Sequence, residues 1–115
     1  MLVKNLNEIE NVDINMDGVK NVKKKIAIGK NDGSPTMAFR VFTIEPGGHT
    51  PYHSHEQEHV NYVIEGEGAL VDENGNEKPL KAGDFALVLP NEKHQYKNNG
   101  NGNFVMICAV KKEYE

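Results

Sequence analysis

Gly47-Gly48-His49-Thr50-Pro51-Tyr52-His53-Ser54-His55-Glu56-Gln57-Glu58-His59-Val60-Asn61-Tyr62-Val63-Ile64-Glu65-Gly66 carries four of the five histidines of this 115-residue chain within eleven positions. His53 and His55 are two apart, so on a strand both rings point to one face and can converge on a single ion. His49 precedes His53 by four residues. Extended, it stands roughly 13 Å away at about 3.3 Å per residue, and Pro51 opposes a helical turn between them. His49 is therefore expected at the mouth of the site or in solvent. His59 follows His55 by four, which requires the chain to turn. If Glu56-Gln57-Glu58 is a loop, His59 opens the next strand and faces back toward the first two rings. If the stretch is helical, His55-Glu56-Gln57-Glu58-His59 spells the H-E-x-x-H zinc-protease motif, with Glu56 as general base. The context favours the loop: Gly47, Gly48 and Pro51 lie upstream, and Val60-Asn61-Tyr62-Val63-Ile64 is β-rich.

Outward from this stretch, helix-period patterns are nearly absent. Residues 37–44 are rich in aromatic and β-branched types and are expected to stop at Glu45-Pro46-Gly47-Gly48. Residues 60–64, 68–71, 85–89 and 104–110 read as further strands. Asn74-Gly75 has the signature of a two-residue hairpin turn, and Lys81-Ala82-Gly83-Asp84 makes another turn. Short strands at intervals of about ten residues, separated by Gly and Asn turns, predict a small β-barrel or sandwich. Residues 1–20 are polar and weakly patterned. A short strand is expected over residues 21–28, where Lys23, Lys24 and Lys25 read as a solvated edge that discourages edge-to-edge pairing rather than as a nucleic-acid patch.

Length predicts one domain over residues 1–115, an arm and first strand over 1–35 and a barrel over 36–115. A hydrophobic content of 37% with 26% charged residues describes an ordinary globular chain. No apolar run approaches the roughly 18 residues of a membrane span. The net charge of −4 argues against a nucleic-acid partner. The opening residues lack a signal-peptide pattern, so a cytoplasmic location is expected. The single cysteine, Cys108, excludes an internal disulfide and a thiolate zinc cluster.

Gly47-x5-His53-x-His55-x3-His59-x6-Gly66 resembles the first motif of the cupins. Gly83-Asp84-Phe85-Ala86-Leu87-Val88-Leu89-Pro90-Asn91-Glu92-Lys93-His94-x3-Asn98 resembles the second, altered around Pro90. Position 59, a glutamate ligand in most cupins, is histidine here, as in small single-domain cupins with four histidine ligands. The resemblance implies an all-β, single-domain cupin jelly-roll barrel of six to eight strands, open at one end. Its metal would be held by His53, His55, His59 and His94. Four neutral imidazoles suit one divalent transition-metal ion, with the resemblance placing Mn or Fe ahead of Zn or Ni.

Strand parity puts Phe104, Met106 and Cys108 on one face, making them candidates for an apolar pocket wall, and places Tyr62 outside the barrel. Arg40, the only arginine, lies in an otherwise apolar strand, where its charge calls for a partner: a ligand carboxylate or a glutamate of the chain. These features point to a metal-dependent enzyme, of oxygenase or isomerase type, acting on a small anionic metabolite. The competing reading is a binding or sensor module without turnover. A glutamate or lysine in the pocket would favour the enzyme; a sealed apolar pocket would favour binding. Exposed sheet edges predict a homodimer, with residues 22–28 and 60–64 as candidate contacts and the polar N-terminal twenty residues draped over the neighbouring barrel.

Overall fold

A computed structural model describes all residues from Met1 to Glu115. Nine strands form one curled, antiparallel sheet: β1 (Val12–Asp13), β2 (Lys20–Ile28), β3 (Met37–His49), β4 (His59–Glu65), β5 (Glu67–Val71), β6 (Glu77–Lys81), β7 (Phe85–Val88), β8 (Gln95–Lys97) and β9 (Phe104–Lys111). The order is β6-β5-β8-β3-β9-β4-β7, with β2 also on β3 and β1 on β2. The all-β jelly-roll expectation holds. One strand more than expected is present, because Val12 and Asp13 pair with Lys24 and Lys23. Three short 3-10 turns, at Leu6–Glu8, Lys30–Asp32 and Lys112–Tyr114, are the only helical elements. None is long and apolar enough to cross a membrane.

The curl follows from a period of two. Phe104, Met106, Cys108 and Val110 of β9 are buried while the residues between them are not, and His59, Asn61 and Val63 of β4 repeat the pattern. Val22, Ile44, Val63, Tyr96, Phe104 and Met106, drawn from five strands, form the main apolar cluster. Above this cluster the inner face turns polar, and there the histidines gather.

Four expectations need correction. First, β3 does not stop at residues 45–48 but runs on to His49 through a bulge. Its register on β2 jumps from Val22↔Ile44 to Lys20↔His49, so Pro46 falls where no ladder donor is needed. Gly47 takes φ 79 in this bulge, and its N–H donates to the Asn98 carbonyl at 3.2 Å. Second, the β5–β6 hairpin is not a two-residue turn. Gly75 N–H donates to the Asp72 carbonyl at 3.0 Å, and Asp72 N–H to the Asn76 carbonyl at 2.9 Å, so the loop holds three residues with Gly75 at φ 81. Third, the lysines of β2 are not one solvated edge: β2 is paired on both sides, and Lys24 shares its face with buried Val22 and lines a cavity. Fourth, the N-terminal segment adds its strand to its own barrel, and Ile14, Met16 and Val19 become part of the same cavity wall.

The outer face of β7, β4, β9 and β3 is apolar over adjoining rows. Tyr62 faces Phe85 and Ile107 across its strand, and Val60 faces Leu87 and Ala109, which in turn pairs with Phe39. Phe85 is 73% exposed and Leu87 55%, and β7 ends the sheet.

Two glycines with the same backbone give a test of this packing. At Gly66, φ 79, a Cβ would run into the Asn103 carbonyl oxygen, whereas at Gly75, φ 81, nothing lies within 4 Å. Gly66→Ala is expected to cost about 3 kcal/mol or more, and Gly75→Ala about 1 kcal/mol, the conformational part alone. Urea unfolding of the two variants checks the difference; equal losses would contradict the packing.

Candidate metal centre

Each histidine reaches the centre by a different route. His59 is the first residue of β4, on the inward face shared with Asn61 and Val63, and is only 6% exposed. His94 stands just before β8 and forms a single antiparallel bridge with His53: His53 N–H donates to the His94 carbonyl at 3.1 Å, and His94 N–H to the His53 carbonyl at 2.9 Å. His55 lies outside any strand, its carbonyl accepting from Asn91 N–H at 2.7 Å. The expected regular strand through His53 and His55 is therefore absent, yet the two rings converge as expected, with centroids 5.0 Å apart. The turn between His55 and His59 is a loop, which removes the helical protease motif.

Donor atoms of His53, His55 and His94 all lie within 4.8 Å of one another. His59 joins them through His94: the two Nε2 atoms are 3.3 Å apart. The other ring nitrogens decide what this approach means. Nδ1 of His94 meets the Glu92 carbonyl at 2.8 Å, and Nδ1 of His55 meets the Gln57 carbonyl at 2.7 Å. Nδ1 of His59 meets Oδ1 of Asn61 at 2.6 Å, and the same oxygen accepts from the Tyr96 hydroxyl at 2.8 Å. Carbonyl and amide oxygens only accept, so each Nδ1 carries the proton and each Nε2 presents a lone pair. Burial, foremost, holds the pKa of His59 down to about 4, and burial also lowers those of His94 and His53. Two neutral Nε2 lone pairs 3.3 Å apart repel each other; both are close enough to reach one cation at ordinary metal–imidazole lengths of about 2.0–2.1 Å. The donor set fits a divalent transition metal.

The histidines open onto a cavity of about 250 Å³. Met106 and Cys108, which share a strand face, line it, and so does Arg40. Burial pushes the Cys108 thiol up from its ordinary pKa. Phe104 does not line the cavity: it is fully buried one layer deeper, its ring 6.5 Å from that of Tyr96. Tyr62 lies outside, its ring 4.5 Å from Phe85, and His49 stays outside with Nδ1 at the Thr50 carbonyl, 3.1 Å. Asn61, Tyr96 and Lys24 also line the cavity, although none was expected there. Asn61 had a signal, being two residues from His59 and hence on its face.

Residues 40–110 match the cupin domain, so the chain belongs to the cupin family. Among curated proteins, it is 33% identical over 73 residues to an oxalate-binding protein of Thermotoga maritima, covering 63% of this chain and 60% of that one. It is 34% identical over 65 residues to a gentisate 1,2-dioxygenase of a Ralstonia species, covering 56% of this chain and 18% of the dioxygenase. The chain thus spans less than two thirds of both relatives. Among solved structures, the polyketide cyclase RemF of Streptomyces resistomycificus superposes with a TM-score of 0.91 at 23% identity, over 96% of this chain and 79% of RemF, a likeness of fold.

Asn61 offers a test of the centre that leaves all four rings in place. Asn61→Val removes the acceptor of both His59 Nδ1–H and the Tyr96 hydroxyl, and is expected to weaken divalent-metal binding about 10- to 100-fold. Metal titration of the folded variant checks this; unchanged affinity would show that Asn61 does not orient His59.

Proposed function

We propose that His53, His55, His59 and His94 hold one divalent transition-metal ion, Mn or Fe ahead of Zn or Ni, and that the chain is a metal-dependent enzyme of oxygenase or isomerase type acting on a small anionic metabolite. The observation that carries the metal is the pair of Nε2 lone pairs facing each other at 3.3 Å, their Nδ1 protons committed elsewhere. The bound ion would supply Lewis acidity and a fixed point of attachment for an anionic oxygen. Around it, the chain's own groups set the conditions: Asn61 and the Glu92 carbonyl fix two rings, and Met106 and Val110 keep part of the wall dry.

One feature supports turnover over mere retention. Lys24, partly buried, lines the cavity, and its pKa is lowered by burial first and by Arg40 second, which makes its ammonium a better proton donor than that of a surface lysine. No aspartate or glutamate lines the cavity, so its charge suits an anion. Binding without turnover is the second reading, favoured by the likeness to an oxalate-binding protein. Oxygen consumption and product formation with small enols and diols separate the two readings.

Elemental analysis of protein purified without chelator is expected to find one transition-metal ion per chain. Alanine at His53, His55, His59 or His94 should remove most of it, and His49→Ala should not. A His49 variant that loses the metal, or a His59 variant that keeps it, would overturn the ligand set.

The apolar outer face around Phe85, Leu87, Val60 and Phe39 supports a homodimer that buries it. Light scattering after size exclusion is expected to give twice the chain mass at micromolar concentration, and Phe85→Glu to halve it. A monomeric wild-type chain would refute the dimer.

A further inference from the structure

The histidine cavity has a second, cationic pole. Arg40 reaches it from β3 and Lys24 from β2, on the inward faces of neighbouring strands. The Arg40 guanidinium donates from Nη1 to the Tyr114 carbonyl at 3.2 Å and from Nη2 to Sγ of Cys108 at 3.0 Å, and lies 4.8 Å from the Phe42 ring centroid. Its Nε is buried with no acceptor. Neither cation has a carboxylate partner: the two ion pairs of the chain are Lys4–Asp32 and Lys97–Glu77. The Glu115 carboxylate accepts from the Lys30 backbone N–H at 2.8 Å and attracts Lys24 from a distance, without forming an ion pair with it. Two like charges share one half-buried wall with no paired carboxylate, and an anion placed between them would relieve their repulsion.

The spacing of the two poles limits that anion. Arg40, Cys108 and Asn61 form one row across β3, β9 and β4, so Arg40 stands two strand spacings, about 10 Å, from the residue that holds His59. A cavity of about 250 Å³ has room for roughly eight waters at ~30 Å³ each, which leaves a short ligand in reach of both poles. Phe42 and Met106 give the wall between them an apolar character.

We propose that the cavity takes a small dianion, typified by a short-chain dicarboxylate: one anionic group at the histidines, the other between Lys24 and Arg40, an apolar spacer along Phe42 and Met106. The first contact rests on the metal reading above; the clamp does not. Lys24 and Arg40 thus select for a second charge, which the histidines alone would not do.

Calorimetric titration of Mn²⁺-loaded and metal-free protein with malonate, succinate and glutarate, against propionate, butyrate and pentanoate, tests this, with metal content measured on every sample. At least one diacid should bind the loaded protein tenfold or more tighter than the monoacid of equal carbon number. Lys24→Met and Arg40→Met, at wild-type metal content, should bring that ratio to within about twofold of one. Lys24→Arg, which keeps the charge, should retain the preference and controls for folding. A wild-type protein with no diacid preference, or a Lys24→Met variant that keeps it, would overturn the proposal. If no metal is bound, the metal reading falls by itself. The clamp then still requires that metal-free protein bind butyrate and that Lys24→Met abolish this binding; failure there overturns the clamp as well.

Discussion

Two imidazole nitrogens with nothing to donate face each other across 3.3 Å, and the surrounding structure is arranged so that they must. His59 cannot turn its proton toward His94, because Asn61 claims it; His94 cannot return one, because the Glu92 carbonyl holds its own. Asn61 is itself held by the Tyr96 hydroxyl, and Tyr96 packs in the main apolar cluster with Phe104. The orientation of a ligand ring is thus tied to the hydrophobic core through two hydrogen bonds. In the neutral state that burial imposes, the facing lone pairs are unfavourable until a cation lies between them.

The backbone places the four rings by unequal means. β4 delivers His59 by simple alternation. His53 and His94 are delivered as a mutual bridge, which depends on the bulge in β3 carrying the chain across to meet β8. The same curl of β2 and β3 that closes the far wall brings Lys24 and Arg40 inward. Metal pole and cationic pole are therefore products of one sheet, and a ligand spanning them would read both.

Much of this was legible in the residues because the governing rule is local. Alternation predicted that Met106 and Cys108 face inward and Tyr62 outward, and the spacing of His53, His55 and His59 predicted a converging trio with His49 left out. What escaped the sequence was non-local. The run of three lysines looks solvated in isolation, and only the pairing of β2 on both sides shows that Lys24 points into a cavity. Pro46 and the glycines after it look like a stop, and become a bulge only because Asn98 accepts and donates there. Phe104 shares the parity of Met106 but lies a layer deeper, since parity gives the face and not the depth.

The central claim is that the four imidazoles share one ion, and X-ray absorption at the metal edge tests it most directly. Protein saturated with one equivalent of Mn²⁺ or Fe²⁺ should show a first coordination sphere dominated by nitrogen, with the multiple-scattering signature of about four imidazoles at roughly 2.0–2.3 Å. A sphere of oxygen atoms, or one holding no more than two imidazoles, would contradict the account.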